Sequence, residues 1–467
     1  MFEDLLAALE EAYDFRRHHE LLTELWAHER WFDTPRQRAA AERAREALDA
    51  AGLSEARLAP YPCDGRARMQ DWTMHLAWSC PAGRLGFADG GEPLADRSRT
   101  PCATVFWCSP LAGEKDPAVG EVFDLDAHPD FTAEDVAGRF VLTGKLAGEA
   151  KPALAGMRPL AIVSDYLGDV TGGDEHVTKW CNNWSDRPGG WYHTADDQPL
   201  AGFQLSPAQG RRLRQRLAAE PAARLAAWVD AEVYAGSGQD VTAVLPGTDP
   251  AEEVWLYGHA CEQGAHDNTS GVAVQIEALR LLNALVESGR LPRPRRGIRM
   301  IATEECVGML AFATQHDDLR RRAAAGLNLD GVGNPPRPDW PYRLHWGPLS
   351  NPTFAWTVAG LVADALQGRS AGDYFVRHVK LINTADDMIA DPACDVPGGW
   401  LGSDNRCHGY HSSADTPEFC TEGGLGPNTL LAAAWAYCMA DLGPDSAAEM
   451  VAPAAEWLGQ HVARERL

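Results

Sequence analysis

The stretch WLYGHACEQGAHDNTSG, residues 255–271, decides the interpretation of this chain. Its first half is an apolar run with the composition of a buried strand, and the run ends at His259. Its second half contains Gly264 and Gly271, which permit a tight loop, and Asp267, which is followed by Asn, Thr and Ser side chains that can cap a helix. The stretch therefore predicts a strand, a loop and a helix, with a histidine at the end of the strand and an aspartate in the loop.

The same rhythm continues on both sides of this stretch from about residue 206. Helical and strand-like segments alternate in the order PAQGRRLRQRLAAE, EVWLYG, GVAVQIEALRLLNALVESG, GIRMIAT, VGMLAFATQHDDLRRRAAA and GLNLD. Such alternation is typical of an α/β fold with a parallel sheet covered by helices. We therefore expect an α/β protein with a mixed, mostly parallel sheet flanked by helices.

Acidic side chains stand at the ends of the next two predicted strands. Glu304 and Glu305 follow IRMIAT, and Asp330 ends GLNLD. Ligands of such sheets bind at the carboxyl ends of the strands, so we expect these carboxylates to meet His259 there. A further histidine, His411, lies downstream in GYHSSADT.

Imidazoles and carboxylates are the ligands that hold catalytic zinc, and one carboxylate can bridge two metal ions. Asp267 is the candidate for the bridging position because a helix-capping role alone does not explain why it occurs together with the other candidate metal ligands. Glu304 and Glu305 are adjacent at a strand end, so their side chains point in different directions. One of them can ligate metal while the other transfers protons. Tyr410 can donate its phenol to the oxyanion that forms when water attacks a carbonyl.

The order of these motifs resembles the zinc aminopeptidase family of peptidase clan MH, which includes bacterial leucyl aminopeptidases, glutamate carboxypeptidase and the protease-like domain of the transferrin receptor. The run DVTAVLPGTDPAEEVWLYGH, residues 240–259, is similar to the strands that lead to the first ligand in that family. The resemblance covers about residues 240–420 and includes five separated motifs.

The resemblance implies a metal centre with two zinc ions. It implies that Asp267 bridges the ions, that His259 and Asp330 complete one site, and that Glu305 and His411 complete the other. It further implies that Glu304 is the general base and that Tyr410 stabilises the oxyanion. The implied metal ligands are thus His259, Asp267, Glu305, Asp330 and His411.

One position departs from the family pattern. The family usually has His-x-Asp at its first ligand, whereas this chain has His259-Ala260-Cys261. A thiol thus replaces a carboxylate that normally supports the site. Cys261 can orient a ligand weakly, approach the metal, or pack as a small apolar group.

Other segments contain residues with candidate roles. TKWCNNWSDRPGGWYH places Trp180, Trp184 and Trp191 close together, either as a substrate lid or as a small core. Asp386-Asp387 and Ser403-Asp404-Asn405 precede His411 and can line a specificity pocket. The Tyr-His pair that ends at His193 resembles the pair that ends at His411, but it precedes the motifs described above.

The chain divides into three regions by pattern. Residues 1–95 combine two helices with short strands and are expected to pack on the catalytic region. Residues 96–205 are β-rich, with the strand-like segments ATVFWCS, GRFVLTGK and LAIVSDY, and residues 130–170 resemble the protease-associated domain often inserted in the family. Residues 206–467 form the predicted catalytic domain. A length of 467 residues fits two or three domains.

Composition limits the class of partner and the compartment. A formal charge of -24 argues against a nucleic-acid partner, because an acidic surface repels phosphates. The start MFEDLLAALEEAYDF lacks the features of a signal peptide, and no apolar run is long enough to span a membrane. Eleven scattered cysteines without CxxC pairs favour reduced thiols and a cytoplasmic location. A homo-oligomer is compatible with the sequence.

These observations predict a zinc-dependent aminopeptidase that removes N-terminal residues from peptides. Two enzymatic alternatives stay open, namely another amide hydrolase or deacylase and a glutaminyl cyclase. A related dimerising carboxypeptidase family normally inserts a whole domain between its later ligands, for which the segment between Asp330 and His411 leaves little room. A catalytically silent binding protein on the same fold is the alternative outside the enzymes.

Overall fold

The computed structural model describes residues 2–168, 174–348, 350–370, 372–379, 385–403 and 409–465, with side chains up to residue 461. The helices among these residues are α1 (Glu3–Ala12), α2 (Phe15–Glu29), α3 (Thr34–Ala50), α4 (Ala133–Val136), α5 (Ala147–Ala150), α6 (Pro207–Ala219), α7 (Thr269–Glu287), α8 (Val307–Gln315), α9 (Asp317–Arg320), α10 (Ala355–Arg369), α11 (Glu422–Asp441) and α12 (Pro444–Glu465). The strands are β1 (Ser54–Cys63), β2 (Arg68–Met69), β3 (Trp72–Thr73), β4 (Ala77–Phe87), β5 (Ala95–Asp96), β6 (Ala118–Gly120), β7 (Val122–Asp124), β8 (Phe140–Thr143), β9 (Ala161–Ser164), β10 (Ala201–Gln204), β11 (Leu225–Tyr234), β12 (Gly236–Leu245), β13 (Asp249–Ala260), β14 (Arg296–Glu304), β15 (Ala323–Asp330), β16 (Tyr342–His345), β17 (Val376–Val379) and β18 (Gly398–Gly402).

An eight-stranded sheet forms the centre of the molecule, in the order β1-β12-β14-β13-β15-β18-β16-β17. Four of the seven pairings described in this sheet are parallel, including all those made by β13. Strands β14 and β15, and β13 from Glu253 onward, carry almost uninterrupted buried residues, as expected for strands covered on both faces. The predicted mixed, mostly parallel α/β fold is confirmed.

The central three strands end where the sequence places the candidate site. His259 and Glu304 lie at the ends of β13 and β14, where Ala260 is in register with Glu304. Asp330 is the last residue of β15, the neighbour of β13 on its other side. Parallel strands thus bring residues from three distant segments to one edge of the sheet.

Helices cover both faces of the sheet. One large apolar core joins the sheet to α1, α2, α3, α7, α10 and α11. A second core lies between the opposite face, α8 and the smaller sheets. Helix α7 is buried along most of its length because it packs against α11, β13 of the large sheet and the N-terminal helix α2.

The N-terminal region forms three helices rather than the two predicted. The reason is local, because Asp14 and Asp33 each accept a hydrogen bond from the backbone N–H three residues later and so begin separate helices. These N-terminal helices contact the predicted catalytic region. The Arg17 guanidinium lies 2.6 Å from the Glu277 carboxylate of α7.

Strand β1 forms one edge of the large sheet and pairs with β12. It contains Pro60 and Pro62, which lack an N–H donor, and its register shifts between Ser54 and Arg57. Proline and irregular register are features of a sheet edge that does not pair further.

Two four-stranded sheets lie beside the large one. The order β10-β9-β8-β7 is parallel throughout, and the order β5-β4-β11-β6 is antiparallel. The second of these takes strands from all three regions distinguished by sequence pattern. The three-domain division and the protease-associated insert therefore stay predictions.

One strand prediction in this area is wrong. ATVFWCS, residues 103–109, forms a buried irregular segment, whereas GRFVLTGK and LAIVSDY contain β8 and β9. Val105 N–H donates to Gly202 O and Phe106 N–H donates to Cys181 O, while Trp107 has a φ of 60°. The backbone N–H groups of this apolar run donate to loops on two sides instead of to a neighbouring strand. The run is buried all the same, so its composition resembles that of a strand.

None of the helices formed by the described residues has the length and apolar character that crossing a lipid bilayer requires.

Candidate metal centre

The carboxylate of Asp267 lies between two histidines. Its Oδ1 is 3.3 Å from His259 Nε2, and its Oδ2 is 2.9 Å from His411 Nε2. Asp267 and His259 are buried, whereas a quarter of the His411 side chain is exposed. One carboxylate with each oxygen directed at a different imidazole has the arrangement of a bridge between two cations.

Asp330 approaches the same carboxylate from β15. The side-chain ligand atoms of His259, Asp267 and Asp330 all lie within 4.8 Å of one another. This group matches the first of the two metal sites that the resemblance implies. The assignment of these residues as ligands stays a prediction.

The loop that carries Asp267 is held by two buried polar side chains that the sequence does not single out for this purpose. Asp415 accepts hydrogen bonds from the backbone N–H groups of His266 (2.7 Å) and Asp267 (3.0 Å). The Asn268 amide donates to His259 O and Leu329 O, each at 3.0 Å. Its oxygen accepts from Gly271 N–H, which confirms that Asn268 can cap α7. The loop is therefore fixed relative to the ends of both β13 and β15.

His259 is supported by a carboxylate from a distant segment. Its Nδ1 lies 3.1 Å from Oδ2 of Asp386, whose Oδ1 accepts from Cys306 N–H at 2.8 Å. Metal-ligating histidines typically donate their other ring nitrogen to such a carboxylate, which fixes the tautomer. Asp386 begins the short 3-10 helix Asp386–Ala390 and is fully buried, so its interpretation as a pocket-lining residue is wrong.

Cys261 belongs to the large apolar core and is 3% exposed. Burial, followed by the charge of Glu304, raises the pKa of its thiol well above the usual range. A neutral buried thiol packs as an apolar group, which agrees with the third of the roles considered for it. The carboxylate that contacts His259 Nδ1 is that of Asp386.

Glu304 points toward residues of the N-terminal region. Tyr61 of β1 donates its hydroxyl to Glu304 Oε2 at 2.5 Å, and His75 Nε2 lies 2.7 Å from the same oxygen. Cys63 Sγ is 3.9 Å from His75 Nε2. The other oxygen of Glu304, Oε1, is buried without a hydrogen-bond partner among the described residues. One oxygen is thus fixed and the other is left for a further interaction.

A second acidic residue reaches the site beside Glu305. Glu262 was not among the predicted site residues, yet its carboxylate lies within 4.8 Å of ligand atoms of His259 and Glu305 in one group and of Asp267 and His411 in another. The only sequence signal for it is its position three residues after His259. Burial, and then repulsion from Asp267, raises the pKa of Glu262 to about 8.

The electrostatics of the site fit a cation. Burial and then the charge of Glu262 raise the pKa of Glu305 well above the usual range, and burial does the same for Asp330. For Asp267 burial acts in the same direction, but the hydrogen bonds to His259 and His411 outweigh it and hold the pKa well below its usual range. Clustered buried carboxylates are unfavourable unless positive charge neutralises them. Zinc accepts both imidazole and carboxylate ligands, so the residues present fit it.

A cavity of about 550 Å³ opens beside these residues. Three predicted ligand carboxylates line it, together with aromatic, amide and other side chains. The lining residues are Asn182, Asn183, Trp191, His266, Asp267, Glu305, Asp330, Gly331, Arg343, His345, Ala385, Trp400, Ser403, Tyr410 and His411. A cavity of this size accommodates a small ligand or the end of a peptide.

His411 is held between aromatic rings. The ring of Tyr410 stacks on it with centroids 3.7 Å apart, and the Trp180 ring lies 4.1 Å away on a tilted plane. Trp180 N–H also donates to His411 O at 3.0 Å. Lys179 Nζ lies 5.3 Å from the centroid of the Tyr410 ring, where a cation is attracted to the aromatic face.

The three tryptophans considered as a lid have different surroundings. Trp184 is fully buried in the second core, Trp180 packs on His411, and Trp191 is half-buried and lines the cavity. His193 Nδ1 lies 3.1 Å from Trp184 O, and the ring is buried there, away from the cavity. Asp404 and Asn405 lie outside the described residues.

Three residues of the site have backbone angles that side chains rarely adopt. Cys261, Cys306 and His411 have φ values of 69°, 60° and 53°. Such conformations persist only where the surrounding structure enforces them, and they concentrate at functional sites. Their positions after β13, after β14 and at the second histidine support this edge of the sheet as the functional one.

The fold and the site define a peptidase domain. Residues 240–436 match the family model described as Peptidase family M28. The chain therefore contains a Peptidase family M28 domain, and the resemblance seen in the sequence is confirmed.

Solved structures show the same fold at low identity. A Peptidase M28 precursor from Shewanella amazonensis SB2B is 14% identical with a TM-score of 0.64, covering 94% of this chain and 96% of the other. A zinc aminopeptidase from Bacillus subtilis is 15% identical with a TM-score of 0.61, covering 92% and 98%. An aminopeptidase from Aneurinibacillus sp. strain AM-1 is 15% identical with a TM-score of 0.53, covering 94% and 97%. The search of the curated proteins gave no match.

Proposed function

We propose that the protein is a zinc-dependent aminopeptidase that removes N-terminal residues from peptides. The observation that carries this proposal is the position of Asp267 between His259 and His411, at the carboxyl ends of the central parallel strands and beside the cavity. The zinc aminopeptidase from Bacillus subtilis, which shares the fold, supports the choice of metal and of reaction.

Two zinc ions are proposed, held by His259, Asp267, Glu305, Asp330 and His411. When bound, such ions supply Lewis acidity and a nucleophilic water at neutral pH. Asp386 faces Nδ1 of His259, so Nε2 is the nitrogen left for a metal. The burial of the ligand carboxylates excludes bulk water and strengthens their interaction with a cation.

Glu304 is the proposed general base. Tyr61 and His75 hold its Oε2, which leaves Oε1 to accept a proton from the attacking water and return it to the leaving amine. Tyr410, which lines the cavity, is the proposed donor to the oxyanion. Carboxylates around the cavity attract the free amine of a peptide substrate, and Asp330 is among them.

The experiment is metal analysis of the purified protein together with a screen of N-terminal aminoacyl amides. About two zinc ions per chain and chelator-sensitive release of an amino acid support the proposal. The matched variant is Glu304→Gln, which removes the base but no proposed ligand, so it should keep the zinc and lose turnover. One zinc without amide cleavage supports a cyclase instead, and a chain without metal supports a silent binding protein.

A cytoplasmic location is proposed on the state of the thiols. The cysteines that the structure describes are all free, and most of them are buried. Reduced thiols are typical of a reducing compartment. A homo-oligomer stays a prediction.

A further inference from the structure

Glu262 occupies a position that no assignment so far explains. It follows His259 by three residues in the loop after β13, and its side chain is 3% exposed. Its Oε2 lies 3.7 Å from His259 Nε2 and 4.0 Å from His411 Nε2, and it has no hydrogen-bond partner among the described residues. The buried oxygen thus faces the two imidazole nitrogens that are themselves directed at Asp267.

Neighbouring buried carboxylates with structural roles are different. Both oxygens of Asp386 receive hydrogen bonds, from His259 and from Cys306 N–H. Both oxygens of Asp415 receive hydrogen bonds from backbone N–H groups of the Asp267 loop. A buried carboxylate oxygen directed at metal-binding nitrogens without a donor of its own calls for a cation.

The groups of ligand atoms identify the subsite. Glu262, Asp267 and His411 have ligand atoms within 4.8 Å of one another, and so do His259, Glu262 and Glu305. Glu262 is therefore the residue that connects Glu305 to the pair Asp267 and His411. Its carboxylate therefore lies close to all three residues that the resemblance implies for the second metal subsite.

We propose that Glu262 is a ligand of the second metal ion, together with Asp267 and His411. The proposal rests on the proposed function for the presence of that ion and adds a ligand that the family resemblance does not supply. Glu262, Asp267, Glu305 and Asp330 together balance the formal charge of two divalent ions. The hydrogen bonds from Asp267 N–H to Asp415 and from the Asn268 amide to His259 O hold both ends of the loop that carries Glu262.

The test is a titration of chelator-treated protein with Zn²⁺ and with Co²⁺, whose visible spectrum reports its ligands. The variant is Glu262→Gln, which keeps the shape of the side chain and removes its charge. We expect two ions in the unchanged protein, with the more weakly held ion bound at least about tenfold more weakly in the variant and an altered cobalt spectrum. The control is Glu252→Gln on β13, which changes the charge equally at a partly exposed ion pair with Arg296.

The proposal would be overturned if Glu262→Gln bound both ions as tightly as the unchanged protein does and gave the same cobalt spectrum. It would also be overturned if the unchanged protein bound a single ion. Circular dichroism and thermal unfolding show whether the variant is folded, and Glu262→Asp supplies a second variant that retains the charge at a shorter reach. Because the readout is metal binding, two bound ions without peptide hydrolysis would contradict the aminopeptidase function while still testing Glu262.

Discussion

His259 and Asp386 are 3.1 Å apart through Nδ1 and Oδ2, although 127 residues separate them in the chain. The family pattern that the sequence resembles has an acidic residue two positions after this histidine, and this chain has Cys261 there. The carboxylate beside His259 comes instead from a short 3-10 helix.

Replacing Asp386 should weaken metal binding without abolishing the fold. Asp386→Asn removes the carboxylate that faces Nδ1 of His259, so we expect the affinity for zinc to fall about 10- to 100-fold. Competition with a chromogenic chelator measures this change. The matched control is Asp391→Asn at an exposed acid just after the same 3-10 helix, which should bind zinc as the unchanged protein does.

Replacing Glu304, or the Tyr61 hydroxyl that holds it, should affect turnover more than metal content. Glu304→Gln removes the proposed base, and we expect kcat to fall about 10²- to 10⁴-fold with zinc retained. Tyr61→Phe removes only the hydrogen bond to Oε2, so we expect a smaller decrease in kcat with little change in KM. Loss of zinc in Glu304→Gln would show instead that this residue ligates the metal.

Replacing Tyr410 should remove stabilisation of the transition state. In Tyr410→Phe the ring that stacks on His411 is retained and the hydroxyl is lost. We expect kcat to fall about 10²- to 10³-fold, the usual effect of losing one oxyanion donor, with nearly constant KM. Steady-state kinetics on an aminoacyl amide measure both constants, and an unchanged kcat would exclude the phenol from the reaction.

Glu29 should make stability depend on pH. Burial raises its pKa to about 7, although Thr269 donates a hydrogen bond to its Oε2. Because the folded pKa lies above the unfolded one, the folded state binds more protons between these two values. Stability therefore decreases as pH rises from about 4.5 to 7, by roughly 3 kcal/mol from this group.

Glu29→Gln removes that dependence. We expect the variant to be more stable than the unchanged protein at pH 8 and similar to it or less stable at pH 5, as measured by urea unfolding of both proteins with zinc bound. Glu24→Gln, an exposed residue of the same helix, is the control. A difference that does not change with pH would show that Glu29 is not protonated in the fold.

Removal of metal should lower the temperature of unfolding. A ligand bound only to the folded state stabilises it by about 2.7 kcal/mol at 100 times its Kd. A chelator should therefore lower Tm, and lowering the pH should reduce this effect because protonation neutralises the clustered carboxylates. Calorimetry with and without chelator at two pH values measures both trends.

Much of the fold and part of the site were accessible from the sequence because they depend on local patterns. The buried runs before His259, Glu304 and Asp330 identify the central strands, and parallel pairing then brings their ends together. The cap at Asn268 follows from residue type in the same way.

The remaining contacts are long-range and leave no pattern. Tyr61 reaches Glu304 only because β1 lies on the same sheet, and Asp386 reaches His259 only through the packing of the 3-10 helix. Glu262 was missed for a different reason. An acid three residues after a histidine is common in loops, and its function depends on where its oxygens point.

The edge position of β1 has a consequence for dissecting the protein. A fragment limited to residues 240–436 would lose Tyr61, all of β1 and the first four residues of β12, so the buried remainder of β12, residues 240–245, would be exposed with the N–H and C=O groups that face β1 unpaired. An unpaired strand of this kind pairs with strands of other chains, whereas its prolines protect β1 from such pairing. The recognisable peptidase segment is thus expected to aggregate when excised, and the residues before it keep the molecule from associating edge to edge.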